Sequence, residues 1–179
     1  MAKAVKTKKQ SNYSNEPEES QILSEPFVAY GNVRDVAAMR TIDLMGMEGK
    51  RGFADIKNEN DFINVIRTGL PKQAMTHLMQ IADLSLNEMA SIVHTSDRTL
   101  RRYGPQQKLS EQQSERMIEM ARLYSRGEEV FGTMEKFKEW MNTILLPFGN
   151  KRPKEFLDTS LGINMIMDEL GRIEHGIFA

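Results

Sequence analysis

The sequence predicts an all-α protein, a helix-turn-helix domain followed by a small helical domain. Three observations carry this. Apolar residues recur at spacings of three and four, as one face of a helix requires. Two capping boxes, Ser85 with Glu88 and Ser110 with Gln113, mark helix starts ahead of apolar runs. No alternating strand pattern and no internal repeat runs through the 179 residues.

Composition narrows the class. Apolar residues make up 40 % of the chain and charged residues 27 %, enough for a core under an ordinary polar surface. A net charge of -1 argues against a protein that coats nucleic acid indiscriminately, so any DNA binding needs a local basic face. With no cysteine there is no disulfide, no thiol nucleophile and no cysteine zinc site. No apolar run reaches the roughly 18 residues of a membrane span. Met1 to Gln10 is basic without an apolar core, so a cytoplasmic protein without a secretory leader is expected. The thirteen methionines fall on helical apolar positions, where adaptable core packing is the simpler reading than a binding surface.

In chain order, residues 1–24 are expected to be a disordered arm, with Lys3, Lys6, Lys8 and Lys9 ahead of Glu16, Glu18 and Glu19. Residues 25–59 are an extension with a possible dimerising role. Val33 to Met45 reads as a helix with Val33, Val36, Ala37 and Ile42 inward, followed by breaks at Gly46, Gly49 and Gly52. Residues 60–108 are assigned to the helix-turn-helix domain. A first helix, Asn60 to Thr68, turns Phe62, Ile63 and Ile66 inward and ends at Gly69. Pro71 opens a second, Lys72 to Asp83, with Ala74, Met75, Leu78, Met79 and Ala82 inward.

The motif itself follows. Ser85 caps a helix whose apolar side is Leu86, Met89, Ala90 and Val93; His94 and Thr95 make the turn; Ser96 caps a second helix with Asp97 in its first turn. That helix turns Leu100 inward and presents Arg98, Thr99, Arg101 and Arg102, as a helix entering a major groove does. Ser96, Arg98, Thr99, Arg101 and Arg102, with Lys108 nearby, are the DNA-contact candidates, since arginine pairs with guanine edges and hydroxyls suit phosphates. The bland alternative is a solvated helix face.

Residues 109–179 form the second domain. A long helix runs from Ser110 to about Phe131, with Met117, Met120, Ala121, Tyr124 and Phe131 on one face and Gly127 allowing close packing. Gly132 ends it and Thr133 caps a helix over Met134 to Asn142, with Phe137, Trp140 and Met141 inward. A loop over 143–153 places Asn150 where positive φ is best tolerated outside glycine, and Pro153 opens a short helix through Leu157. Thr159 or Ser160 caps the last helix, whose apolar side is Ile163, Ile166, Met167 and Leu170, and Gly171 is expected to stop it. The closing residues mix Arg172, Glu174 and His175 with Ile177 and Phe178, either a partner-binding segment or a docked terminus.

Catalytic signatures are missing. His77, His94 and His175 have no ligand spacing, so no metal is expected. There is no glycine-rich phosphate loop and no nucleophile elbow. Glu174 beside His175 reads better as a structural or interface pair than as an acid–base pair. A non-enzyme without cofactor is expected.

A resemblance covers about residues 60–179. It rests on Ser96-Asp97-Arg98-Thr99-Leu100-Arg101-Arg102, then Leu109-Ser110, then R-L-Y-x-x-G-x-E-V-F-G over 122–132. Trp140-Met141, the loop Gly149 to Pro153, Phe156-Leu157-Asp158-Thr159, Gly162 and G-R-I-E-H-G over 171–176 follow in order. This ordered set resembles the Xre/MbcA/ParS antitoxins, an Xre-like helix-turn-helix with a C-terminal toxin-binding domain. Thr143-Ile144-Leu145 stands where that family often reads T-P-N, and Asn150 replaces the second loop glycine. The resemblance implies a type II toxin–antitoxin pair, a RES-domain or related NAD-using toxin whose active site is covered, and operator DNA bound by a homodimer. Under it, Lys151, Arg152, Arg172, Glu174 and His175 are the toxin-contact candidates. The rival reading is a stand-alone helix-turn-helix regulator with a C-terminal dimerisation or effector domain.

Overall fold

The computed structural model describes residues 35–176, and every statement of structure below is confined to them. The expected arm at 1–24, Val33, and the anchors Ile177 and Phe178 lie outside this range. Eight α-helices fill it, with no strand among the described residues. Two isolated antiparallel bridges, Pro71 with Lys108 and Leu145 with Lys151, close loops.

Local chemistry fixes most helix starts. Asp35 caps α1 (Val36–Leu44) by accepting from the Ala37 N–H at 2.9 Å. Of the side expected partly inward, Ile42 is buried but Val36 and Ala37 are exposed. Val36 is 78 % exposed, and the buried face is Ala38, Thr41, Ile42 and Leu44. This face packs against α6 and α3, and Thr41 can join it because its hydroxyl donates to the Ala37 carbonyl at 2.8 Å. Asn58 and Asp61 form a capping box around a single 3-10 turn that leads into α2 (Phe62–Thr68). This entry rotates α2, so Val65 is buried beside Phe62 while Ile63 faces solvent and Ile66 is half-buried.

The next three helices follow the sequence closely. They are α3 (Lys72–Ala82), α4 (Leu86–Ile92) and α5 (Asp97–Arg102). α3 ends at Asp83 in the left-handed conformation. The α4–α5 turn is made by His94, also left-handed at φ 51°, and Thr95.

The long helix α6 (Glu111–Phe131) organises the rest. It packs against α1, α2 and α3, and also against α7 (Met134–Met141) and α8 (Ser160–Glu174). Met117, Met120, Ala121, Leu123 and Tyr124 are buried along it. Each such methionine or leucine contributes about 1.5–3 kcal/mol relative to an exposed position. Gly127 lets α7 close on α6, since a Cβ there would sit 2.4 Å from the Phe137 ring. Tyr124, Phe137, Phe131, Trp140, Phe148 and Phe156 form a chain of ring contacts from α6 to the 3-10 turn Pro153–Phe156.

Outside the region of the resemblance, α1 is fastened to α6 by Arg40. Its Nε and Nη2 donate to the Glu128 carboxylate at 2.5 and 2.8 Å.

One boundary needs correction. α8 does not stop at Gly171 but runs to Glu174 and is ended by Gly176 at φ +66°. An interior glycine costs a helix about 1 kcal/mol relative to alanine. Buried Leu170 on one side and the Glu174 ion pair with Arg126 on the other outweigh that.

Candidate functional site

Two surfaces collect the polar residues singled out by sequence. The first is α5. Its cap is closed, with the Thr99 N–H donating to Ser96 Oγ at 3.1 Å and the two hydroxyls 2.8 Å apart. Leu100 is fully buried and anchors the helix from below. Arg98, Arg101 and Arg102 are exposed. Of these three, only Arg101 has an ion-pair partner among the described residues, Asp97 at 3.4 Å. A short helix therefore offers three guanidinium groups to solvent, two without a carboxylate partner, and such forks match phosphate and guanine geometry. Ser96 and Thr99 are engaged in the cap that shapes this face. Lys108 is not part of it in the same sense: its ammonium donates to the Gly69 carbonyl at 2.6 Å and ties the strap after α5 to the end of α2.

The second surface belongs to the loop after α7 and the end of α8. Asn150 adopts φ 60° and Gly149 φ 65°, so the asparagine supplies the left-handed turn that a glycine supplies elsewhere. The Leu145 N–H donates to the Lys151 carbonyl at 3.1 Å and closes the loop. Lys151 is exposed, with its ammonium 6.0 Å from the Phe156 ring centroid. Arg152 is exposed, and its backbone N–H donates to Glu155 at 3.2 Å. At the end of α8, Arg172 pairs with Glu169 at 3.0 Å, Glu174 with Arg126, and His175 is the exposed C-cap. The structure thus shows Arg172 and Glu174 already held by neighbours, while Lys151 and Arg152 present free cationic heads.

Several residues that sequence reading passed over shape these surfaces. Arg126 holds Glu129 at 2.7 Å as well as Glu174, and so fixes the end of α8 on α6. Arg116 donates to Glu119 at 2.8 Å and to Ser160 at 3.0 Å at the other end of α8. Lys154 reaches Glu88 at 3.4 Å, linking the 3-10 turn after the basic loop to the first turn of α4. Tyr124 is buried against the same region, and its hydroxyl is pushed up by burial and then by the charges of Glu88 and Asp83. Exposed apolar side chains also occur in this half, Leu146 at 77 % and Leu161 at 73 %, with Ile144 and Met165 also exposed. They sit in two short groups, Ile144 with Leu146 and Leu161 with Met165, and each reads in sequence as an ordinary loop or helix residue.

No group of three or more potential metal-ligating side chains occurs among the described residues. No helix among them is long and apolar enough to cross a membrane. His77 is engaged with the Leu44 carbonyl at 3.1 Å and lies apart from His94 in its turn and His175 at its helix end.

Two family models match the chain. A family model described as the antitoxin Xre-like helix-turn-helix domain matches residues 61–122. A second, the antitoxin Xre/MbcA/ParS C-terminal toxin-binding domain, matches residues 126–176. A protein named Antitoxin Xre from Photorhabdus laumondii is 26 % identical over 115 residues, covering 63 % of this chain and 78 % of that protein. Another Antitoxin Xre, from Yersinia enterocolitica, is 32 % identical over 69 residues, covering 38 % of this chain and 47 % of that protein.

Proposed function

We propose, from the premise that the chain belongs to the Xre/MbcA/ParS family of antitoxins, that it neutralises a RES-type, NAD-consuming toxin by covering its active site. The same chain represses its own operon through α5, as a homodimer in the cytoplasm. The family assignment supplies a toxin partner and a DNA-binding module. The observation that carries the finer reading is that exposed cations stand on two different elements packed on one core. The guanidinium groups of Arg98, Arg101 and Arg102 lie on α5, and the cations Lys151 and Arg152 lie on the loop after α7.

On this reading, residues 60–108 address DNA and residues 109–179 address the toxin, with α6 serving as core to both. Ser96 and Thr99 set the register of α5, while Arg98, Arg101 and Arg102 contact phosphate and base edges. Lys151, Arg152, Arg172, Glu174 and His175 meet the toxin. A pocket shaped for a phosphate-bearing dinucleotide is electropositive or rich in donors, which suits Glu174, while Lys151, Arg152 and Arg172 need acidic groups at its rim. The pairs Arg172–Glu169 and Arg126–Glu174 arrive preformed, which lowers the ordering cost of docking.

The test is co-expression of the full chain with the product of the adjacent reading frame. Stable co-purification together with restored cellular NAD and growth is the expected result. A chain that neither retains that partner nor relieves NAD loss sinks the toxin reading. Footprinting of the upstream DNA then tests repression separately.

A further inference from the structure

The segment after α5 is held by the start of α3. The Lys72 N–H donates to the Gln107 carbonyl at 2.9 Å and the Gln73 N–H to the Pro105 carbonyl at 2.9 Å. The Gln106 side-chain amide donates to that of Gln73 at 3.1 Å. The half-buried ammonium of Lys72 donates to the carbonyl of Tyr103, the C-cap of α5, at 2.9 Å. Tyr103 leaves the helix with extended backbone, and no glycine in the left-handed conformation closes this end. The exposed carbonyls and the negative end of the dipole there are met by a cation from another helix.

We propose that Lys72 is a positioning residue for DNA recognition: it fixes the C-terminal end of α5, and with it the aim of Arg101 and Arg102, without contacting a phosphate. Arg101 and Arg102 occupy the last turn of a helix only six residues long. With so few internal hydrogen bonds, α5 frays unless its ends are tied. Ser96 ties the first end and Lys72 the second. The opening N–H groups of α3, those of Lys72 and Gln73, are already spent on the chain's own carbonyls, so this helix start offers a phosphate nothing. The inference rests on DNA binding by α5 and is independent of which operator is bound.

The experiment uses the full chain and a duplex that the wild-type protein itself selects from a random pool, beside a scrambled duplex of equal length. Lys72→Met keeps the apolar stem and removes the donor. It should lower affinity for the selected duplex by roughly tenfold, the usual worth of a charged hydrogen bond. Affinity for the scrambled duplex and the slope of log K against log salt should be unchanged. Lys72→Arg should restore most of the loss. Gln106→Ala, at an exposed position on the same strap, should give a smaller loss of the same kind. A slope reduced by about 0.9 in Lys72→Met marks a phosphate contact and overturns the proposal. So does an equal loss on both duplexes, an unchanged affinity, or a wild-type protein that selects no duplex. If Lys72→Met does not fold, Gln106→Ala alone decides by the same criteria.

Discussion

The two ends of this molecule are built by different rules. Around α4 and α5, the caps that start the helices are local, and the end of α5 is tied from afar, by Lys72. Ser85 with Glu88 and Ser96 with Thr99 are three residues apart, and the functional side chains stand clear of the packing. From α6 to α8, the important contacts join distant residues: Arg116 with Ser160, Arg126 with Glu174, Gly127 with Phe137, Phe156 with Gly162. The first region makes a compact unit by capping, and the second by docking helices on one another. The difference teaches that a surface on α5 can be stripped of charge with little effect on the core. On α8, Glu174 and Ser160 cannot be altered without touching what holds the helix in place.

The largest effect expected from this contrast is on DNA. Arg101→Ala with Arg102→Ala should weaken DNA binding by about 3 kcal/mol or more, because each guanidinium–base or phosphate fork lost costs about 1–3 kcal/mol. Binding of the co-expressed toxin should not change, and Tm should move little. Titrations of both partners against the same preparation check it. Loss of toxin binding in a folded double variant would erase the division between the two regions.

The next effect is on stability. Gly127→Ala drives a Cβ to 2.4 Å from the Phe137 ring, and overpacking of this kind costs typically 1–3 kcal/mol, here about 3. Chemical denaturation should show one cooperative transition at lower denaturant, because α6 is core to both regions. Adding Phe137→Leu should cost less than the sum of the two changes. Two separated transitions in the wild type would show that the shared helix does not unite the regions.

A smaller effect tests the capping rule. Ser96→Ala removes the acceptor for the Thr99 N–H and should cost about 1 kcal/mol. It should also weaken DNA binding by more than it weakens the fold, since α5 has no long body to hold it. Equal losses in stability and affinity would mean that the cap only stabilises.

The same contrast explains what could be read from sequence. The order and type of the helices were visible in capping boxes and apolar spacing. The α4–α5 motif was visible nearly residue by residue, because its caps and turn lie within three or four positions of one another; the tie from Lys72 to Tyr103, 31 positions on, was not. Gly127 and Asn150 were also legible, as a small residue inside a helix and as a substitute for glycine. The rotation of α1 was not, since its buried face is set by packing against α6, far along the chain. The persistence of α8 past Gly171 was not, since it depends on Arg126, 48 residues before Glu174. Nor was the link from Lys154 to Glu88, which spans 66 positions. Side-chain partners brought together by packing leave no spacing to recognise.

Glu88 belongs to both regions and gives the finest test of where they meet. Its carboxylate accepts from the Ser85 hydroxyl at 2.7 Å and N–H at 2.8 Å, and Lys154 lies at 3.4 Å. The Ser85 hydroxyl, the Ser85 N–H and Lys154 together hold its carboxyl below the ordinary value of 4.5. A carboxyl more acidic in the folded state adds stability that is complete above the unfolded value and is lost as pH falls through the folded one. Glu88→Gln keeps the shape and most of the cap, so its deficit against wild type isolates the charge. That deficit in Tm should be small, complete above the ordinary glutamate range, and should shrink only as pH falls through the lowered folded-state value. Lys154→Met should remove only part of it, because the serine contacts come first. If Lys154→Met abolishes the whole pH dependence, the charge of Glu88 serves the joint between the regions rather than the cap of α4.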